Sequence, residues 1–129
     1  MSQAASATRT MRRSTPAAFW AWAGAGVLAM IVAWFWFGLS IAEEASEQGK
    51  AEAAGTTMAG FAASVGGVLL ALAHVIGLVV LSVTGWRAWR GKGLVYAVLA
   101  VAAASLVGLI VGQVLYGGNL FNTAPVFVP

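Results

Sequence analysis

The sequence predicts an all-α integral membrane protein with three transmembrane helices, its N-terminus cytoplasmic and its C-terminus extracytoplasmic. Three observations lead there. Of 129 residues, 60% are hydrophobic and only 9% charged, whereas a soluble domain carries about 25% charged residues. The apolar residues gather in three runs, Ala17 to Ala42, Met58 to Trp86 and Leu94 to Tyr116, each longer than the roughly 20 residues a helix needs to cross about 30 Å of hydrocarbon. Six of the seven basic residues fall on one side of the arrangement that these runs define. Lipid offers backbone amides no water to pair with, so spans of this length are expected to be helical.

Residues 1–15 read as a basic cytoplasmic tail containing Arg9, Arg12 and Arg13. Ser14-Thr15-Pro16 reads as a helix cap with proline in the first turn, where its missing N–H is no loss. The apolar run that follows is longer than the roughly 7–15 residues of a signal-peptide core, and the paired arginines are followed by Ser14, Thr15 and Pro16 rather than by a bulky apolar residue. The segment is therefore expected to be a retained anchor.

The first transmembrane helix is placed at 16–42. It leads into an acidic extracytoplasmic loop, 43–57, with Glu43, Glu44, Glu47 and Glu52 against Lys50. Glu43 and Glu47 stand four apart, as do Glu44 and Gln48, and Glu47 and Lys50 three apart, so the helix is expected to run on into solvent. A carboxylate cluster could also dock a basic partner or a cation. No calcium-loop spacing is present, and a solvated face is the expectation. The second helix is placed at 58–86, a basic cytoplasmic loop with Arg87, Arg90 and Lys92 at 87–93, and the third helix at 94–117. The tail, 118–129, holds two prolines and the apolar Phe121, Val126, Phe127 and Val128, expected along the interface or against another protein.

Orientation follows from the positive-inside rule, which counts Lys and Arg in short loops: six on the cytoplasmic side, one outside. That placement also turns the pI near 10.0 into a topology signal, and no nucleic acid is expected as a partner. Trp20, Trp22, Trp34, Trp36, Trp86, Trp89, Tyr96 and Tyr116 stand near span ends, where aromatic belts form. With no cysteine, disulfides, thiolate chemistry and cysteine-bound metals are excluded. No phosphate-binding glycine loop, paired intramembrane carboxylates, metal-ligand cluster or nucleophile–base pair is visible, so no catalysis is expected.

Helices in lipid associate through close approach at small residues and a few hydrogen bonds. Ala17, Ala21, Ala25, Ala29 and Ala33 recur every four residues on the first span, Ala59, Ala63, Gly67 and Ala71 on the second, and Ala100, Ala104, Gly108 and Gly112 on the third. Each ridge is an expected packing face.

Polar groups within the spans are rare. His74, the only histidine, stands near the middle of the second span, level with Ser105 on the third and Met30 on the first. An ionisable group at that depth normally has a partner or a task. In one reading, neutral His74 bonds Ser105 or a backbone carbonyl and pins the helices. In a second it is an axial ligand to a haem or chlorophyll-type macrocycle, with Met30 or a second copy's histidine opposite. In a third it carries protons or binds a quinone or substrate, and in a fourth it meets a partner protein. Gln113, near the outer end of the third span, is expected to bond across helices, while Ser64, Ser82 and Thr84 can bond back to their own helix.

The expected role is a small non-catalytic subunit, without a cofactor, that packs against a larger bacterial membrane complex, respiratory or transport, or its own copies in the cytoplasmic (inner) membrane. The alternatives are a cofactor-binding redox or pigment protein using His74, and a self-assembling channel, transporter or holin-like pore. No span carries the polar stripe that a water-filled path requires.

Overall fold

The computed structural model describes residues 2–121, with side chains from residue 16 onward. It is all-helical over that range. Helix α1 spans Ser2–Ala53. A π-helical turn, Ala62–Gly67, runs without a break into α2, Val68–Trp89, and α3 spans Gly91–Leu115. Pro16–Ala53, Ala62–Trp89 and Gly91–Leu115 are each long and apolar enough to cross a membrane. Every helix packs against both others.

The expected cap at Ser14 is not where the helix begins. Helix α1 starts at Ser2 and carries Pro16 in its interior. Proline deletes one helical hydrogen bond, to the carbonyl four residues earlier, and the helix continues through it. At the other end α1 runs on to Ala53 as the charge spacing anticipated. Lys50 donates to Glu47 Oε1 at 2.9 Å, which raises the lysine above its ordinary pKa, and Gln48 donates to Glu52 at 2.8 Å. Gly55, at φ +78°, ends the helix, with the Thr56 amide reaching back to the Ala51 carbonyl at 2.8 Å, a glycine-closed C-terminus.

This extension also starts the second helix. The amide of Met58 donates to Gln48 Oε1 at 2.8 Å, and the amide of Ala62 to Glu44 Oε2 at 2.7 Å. The first amides of a helix lack intrahelical acceptors and favour a negative partner, and Glu44 supplies one from the neighbouring helix. The acidic segment is thus more than a solvated face: two of its side chains hold the α1–α2 connection.

The α2–α3 connection is a tight hairpin. Arg90 alone separates the two helices, at φ +58° and ψ −128°, so Arg87 and Lys92 are themselves helical. Hydropathy locates where lipid would end, and the helices continue past that level. The hairpin closes because Gly85 and Gly93 meet backbone to backbone: a Cβ on Gly85 would lie 2.5 Å from the Gly93 carbonyl oxygen. Beyond α3, Gly117 and Gly118 take φ +62° and +83° and turn the chain back, which buries Leu120 against Gly38 and Gly112.

Phe19, Met30, Leu81, Ala97, Val101 and Ala104 form the core. The small face of α3 is buried along its length through Gly93, Ala97, Ala104, Gly108 and Gly112. The expected ridge of α1 is not: Ala21, Ala25 and Ala29 are exposed, as is Ala71 on α2, and Gly67 is half-buried. Of that ridge only Ala33 is buried, and α1 presents it to the bundle together with Phe19 and Met30. Close approach needs small residues on one side of a contact only. Once α3 supplies them, the partner helix gains more contact from large side chains than from a second smooth face.

Candidate functional site

Midway along the bundle one polar junction joins all three helices. His74 projects from α2, Ser105 from α3 and Trp34 from α1. His74 Nε2 lies 2.7 Å from Ser105 Oγ, and its Nδ1 lies 2.8 Å from the carbonyl oxygen of Leu70, one turn earlier on α2. Trp34 donates its indole N–H to the same Ser105 oxygen at 3.1 Å.

The partners determine where the hydrogens sit. A carbonyl only accepts, so Nδ1 carries the proton toward Leu70. In the neutral ring Nε2 is then an acceptor, and the Ser105 hydroxyl donates to it. The Ser105 oxygen keeps a lone pair for the Trp34 N–H. Every group is paired, in a chain that runs from the indole through the hydroxyl to the imidazole and ends on backbone. No buried side-chain polar atom lacks a partner among the described residues.

Local sequence explains why these three residues meet. A Cβ on Gly108 would stand 2.7 Å from the Met30 carbonyl oxygen and 2.8 Å from Trp34 Cδ1. Glycine at that position therefore lets α1 approach closely enough for the indole to reach Ser105, one turn away on α3. Sequence reasoning put His74, Ser105 and Met30 at one depth, with Ser105 or a backbone carbonyl as His74's partner in one reading, and assigned Trp34 to an interfacial belt. The direction of helical side chains was the available signal. They lean toward the helix N-terminus and cover the turn before their own Cα, which brings the Trp34 ring down to the level of Met30.

The other singled-out residues are placed as follows. Met30 is 3% exposed and packs in the core. It and His74 line different grooves, Met30 between α1 and α2 and His74 between α2 and α3. The structure does not bring that pair together as opposed ligands. Binding of a macrocycle metal at Nε2 would need the lone pair that now accepts from Ser105. Gln113 does not reach across to another helix: its Oε1 accepts from the Leu120 amide at 3.4 Å and steadies the turn after α3. Ser64 and Thr84 bond back to the carbonyls of Gly60 and Val80, both at 2.9 Å. Val126, Phe127 and Val128 lie outside the described residues. No group of three or more His, Asp or Glu side chains suited to a metal ion occurs among the described residues.

The aromatic residues form two clusters at the ends of the bundle. At the basic end Trp89 meets Phe19 at 5.1 Å and Tyr96 at 5.2 Å, both edge to face, one ring from each helix. At the acidic end Tyr116 stacks on Phe35 at 5.5 Å and donates its hydroxyl to the Phe35 carbonyl at 2.8 Å, while Phe121 packs edge-on against Trp34 at 6.2 Å.

The chain matches no known protein family, and no curated protein and no solved structure shows detectable similarity to it.

Proposed function

We propose that the chain is a multi-pass protein of the bacterial cytoplasmic membrane, N-terminus inside, and that it serves as a small non-catalytic subunit packing against a larger membrane complex. Insertion is supported by the outer surface of the bundle: Leu28, Val32, Val79, Leu99 and Val114 are all more than half exposed, a density of outward aliphatic side chains that water would not tolerate. Orientation rests on the loop charges, with Arg87, Arg90 and Lys92 at one end and the four glutamates at the other.

The subunit reading rests on one observation. The Ala21–Ala25–Ala29 stripe of α1 has the four-residue spacing of a membrane packing face, and the chain's own helices leave it uncovered. With three helices already satisfied against one another, this stripe remains for another protein's helix.

The chain has no cysteine, so a single introduced thiol reports its own position. Ala21→Cys, treated in native membranes with a short bifunctional thiol-and-amine crosslinker, is expected to give one discrete adduct with a larger membrane protein. Leu106→Cys, on an outward face of α3, is expected to give none. An adduct of twice the chain mass would replace the heterologous partner with a second copy, and the absence of any adduct at Ala21 would remove the subunit reading.

A further inference from the structure

Between α1 and α2, in the half of the bundle nearer the basic end, lies an apolar groove of about 270 Å³. Its walls run from Trp22 to Met30 on α1 and from Ala73 to Leu81 on α2, about 12 Å of axis on each helix. Ala25, Gly26 and Ala29 face Ala73 and Gly77 across it, so small side chains make the gap. Beyond the gap the chain closes up: Trp36 of α1 donates to the Val65 carbonyl of the π-helical turn ahead of α2 at 3.3 Å, and a Cβ on Gly66 of that turn would lie 3.1 Å from the Phe37 backbone. In a bilayer with about 30 Å of hydrocarbon, a groove of this length serves one leaflet. The slot thus runs through one leaflet only, a length that a single acyl chain fills on its own.

The charge beside the groove narrows the choice further. Arg87 stands seven residues beyond Val80 and eleven beyond Ile76, spacings that keep it on the same stripe of α2, about 10 Å further toward the basic end. It is exposed. The one salt bridge among the described residues joins Lys50 to Glu47, at the opposite end of the bundle, so Arg87 has no carboxylate partner there. Trp22, 54% exposed, flanks the groove on the side toward Arg87, where an indole suits the headgroup boundary.

We propose that this groove binds one acyl chain of an anionic phospholipid, whose phosphate is held by Arg87. The hydrocarbon fills the slot between Ala29 and Gly77, the glycerol lies beside Trp22, and the guanidinium fork meets the phosphate oxygens in paired charge-assisted hydrogen bonds. The inference rests on the bilayer reading above and does not require the partner complex. Ala25 and Ala29 belong both to the outward stripe and to the groove wall, so a bound tail completes the surface that a partner would meet.

The test uses the full chain in mild detergent, stripped of native lipid and offered phosphatidylglycerol or phosphatidylcholine with identical acyl chains. Native mass spectrometry then reads the lipid retained. Wild type is expected to hold one phosphatidylglycerol about fivefold more tightly than phosphatidylcholine, and Arg87→Gln to remove that preference. Lys92→Gln removes a charge at the same end but lies half a turn around α3 from Val101 in the groove floor, and is expected to change retention by less than about twofold. Ala29→Phe fills the slot and is expected to lower retention of both lipids, with helicity and elution volume unchanged.

Equal retention of the two lipids by wild type, or retention that survives Ala29→Phe, would overturn the site and leave only lipid held nonspecifically around the bundle. Flotation of the wild-type chain with vesicles separates the two levels of the argument. A chain that fails to float overturns the bilayer reading and this site together, while one that floats but holds lipid without preference overturns the site alone.

Discussion

The Ser105 hydroxyl lies 2.7 Å from Nε2 of His74, and that contact makes α3 the hub of the bundle's polar chemistry. The same oxygen accepts from Trp34 of α1 at 3.1 Å, so removal of one side chain breaks the polar link among three helices. Ser105→Ala would orphan both the indole N–H and the imidazole lone pair, which costs about 1–3 kcal/mol. The loss is measured as a shift in the unfolding midpoint in mixed micelles. A double-mutant cycle with His74→Phe should return a coupling of about 0.6–1.7 kcal/mol. Additivity within error would mean that the contact contributes nothing. The same geometry fixes the tautomer: ¹⁵N spectra of the chain in micelles should show Nδ1 protonated and Nε2 bare.

Two glycines one turn apart on α3 should respond oppositely to the same change. A Cβ on Gly108 meets the Met30 backbone at 2.7 Å, and a helix backbone cannot step aside without moving α1. Gly108→Ala is expected to cost about 1–3 kcal/mol and to weaken the Trp34–Ser105 bond. At Gly112 the nearest atom to an added Cβ is a Leu120 methyl at 3.6 Å, an ordinary contact. Gly112→Ala should be neutral, or stabilising by up to about 1 kcal/mol through helix propensity. Thermal melts of the two variants decide it, and equal losses would mean that the α1–α3 spacing is not set at Gly108.

Arg90 occupies a backbone conformation that suits glycine. At φ +58° and ψ −128° a side chain costs on the order of 1–3 kcal/mol. Arg90→Gly is expected to raise stability by about 1 kcal/mol, while Arg90→Ala brings no gain. Trypsin accessibility in sealed vesicles should be unchanged in both variants, since Arg87 and Lys92 still mark that side. A destabilised Arg90→Gly would show that the arginine side chain holds the hairpin by some other contact.

The glutamates of the acidic segment should not be equivalent. Glu44 accepts the Ala62 amide at 2.7 Å, whereas Glu43 is exposed to solvent. Glu44→Ala is expected to cost about 0.5–2 kcal/mol, as for other losses at a helix start, and Glu43→Ala close to nothing. Hydrogen exchange at the Ala62 and Ala63 amides should quicken only in the first. Equal exchange in the two variants would reduce Glu44 to a solvated charge.

Much of this bundle was legible one helix at a time. Burial in lipid imposes a length and a composition that a sequence displays directly, and the α1 extension could be read from local spacings such as Glu47–Lys50, although Gln48 pairs with Glu52 and not with Glu44. The common depth of His74, Ser105 and Met30 was legible as well, from the position of each along its own span; which of them meet was not.

What a residue faces could not be read in the same way. Ala21, Ala25 and Ala29 have the same spacing as the buried Ala104, Gly108 and Gly112, and nothing within α1 says that its large side chains, rather than its small ones, turn inward. That choice belongs to the pair of helices: α3's smooth face leaves room for Phe19, Met30 and Trp34, and no further room for a second smooth ridge. Glu44 at the start of the second helix and Gln113 on the Leu120 amide are likewise contacts across chain turns, invisible until those turns exist. Length, hydropathy and charge asymmetry are properties of single segments, and the sequence by itself determined them. Rotation of each helix about its axis, the reach of Trp34 to Ser105 and the one-leaflet gap between α1 and α2 were decided only by tertiary packing, because each depends on the distance between two backbones.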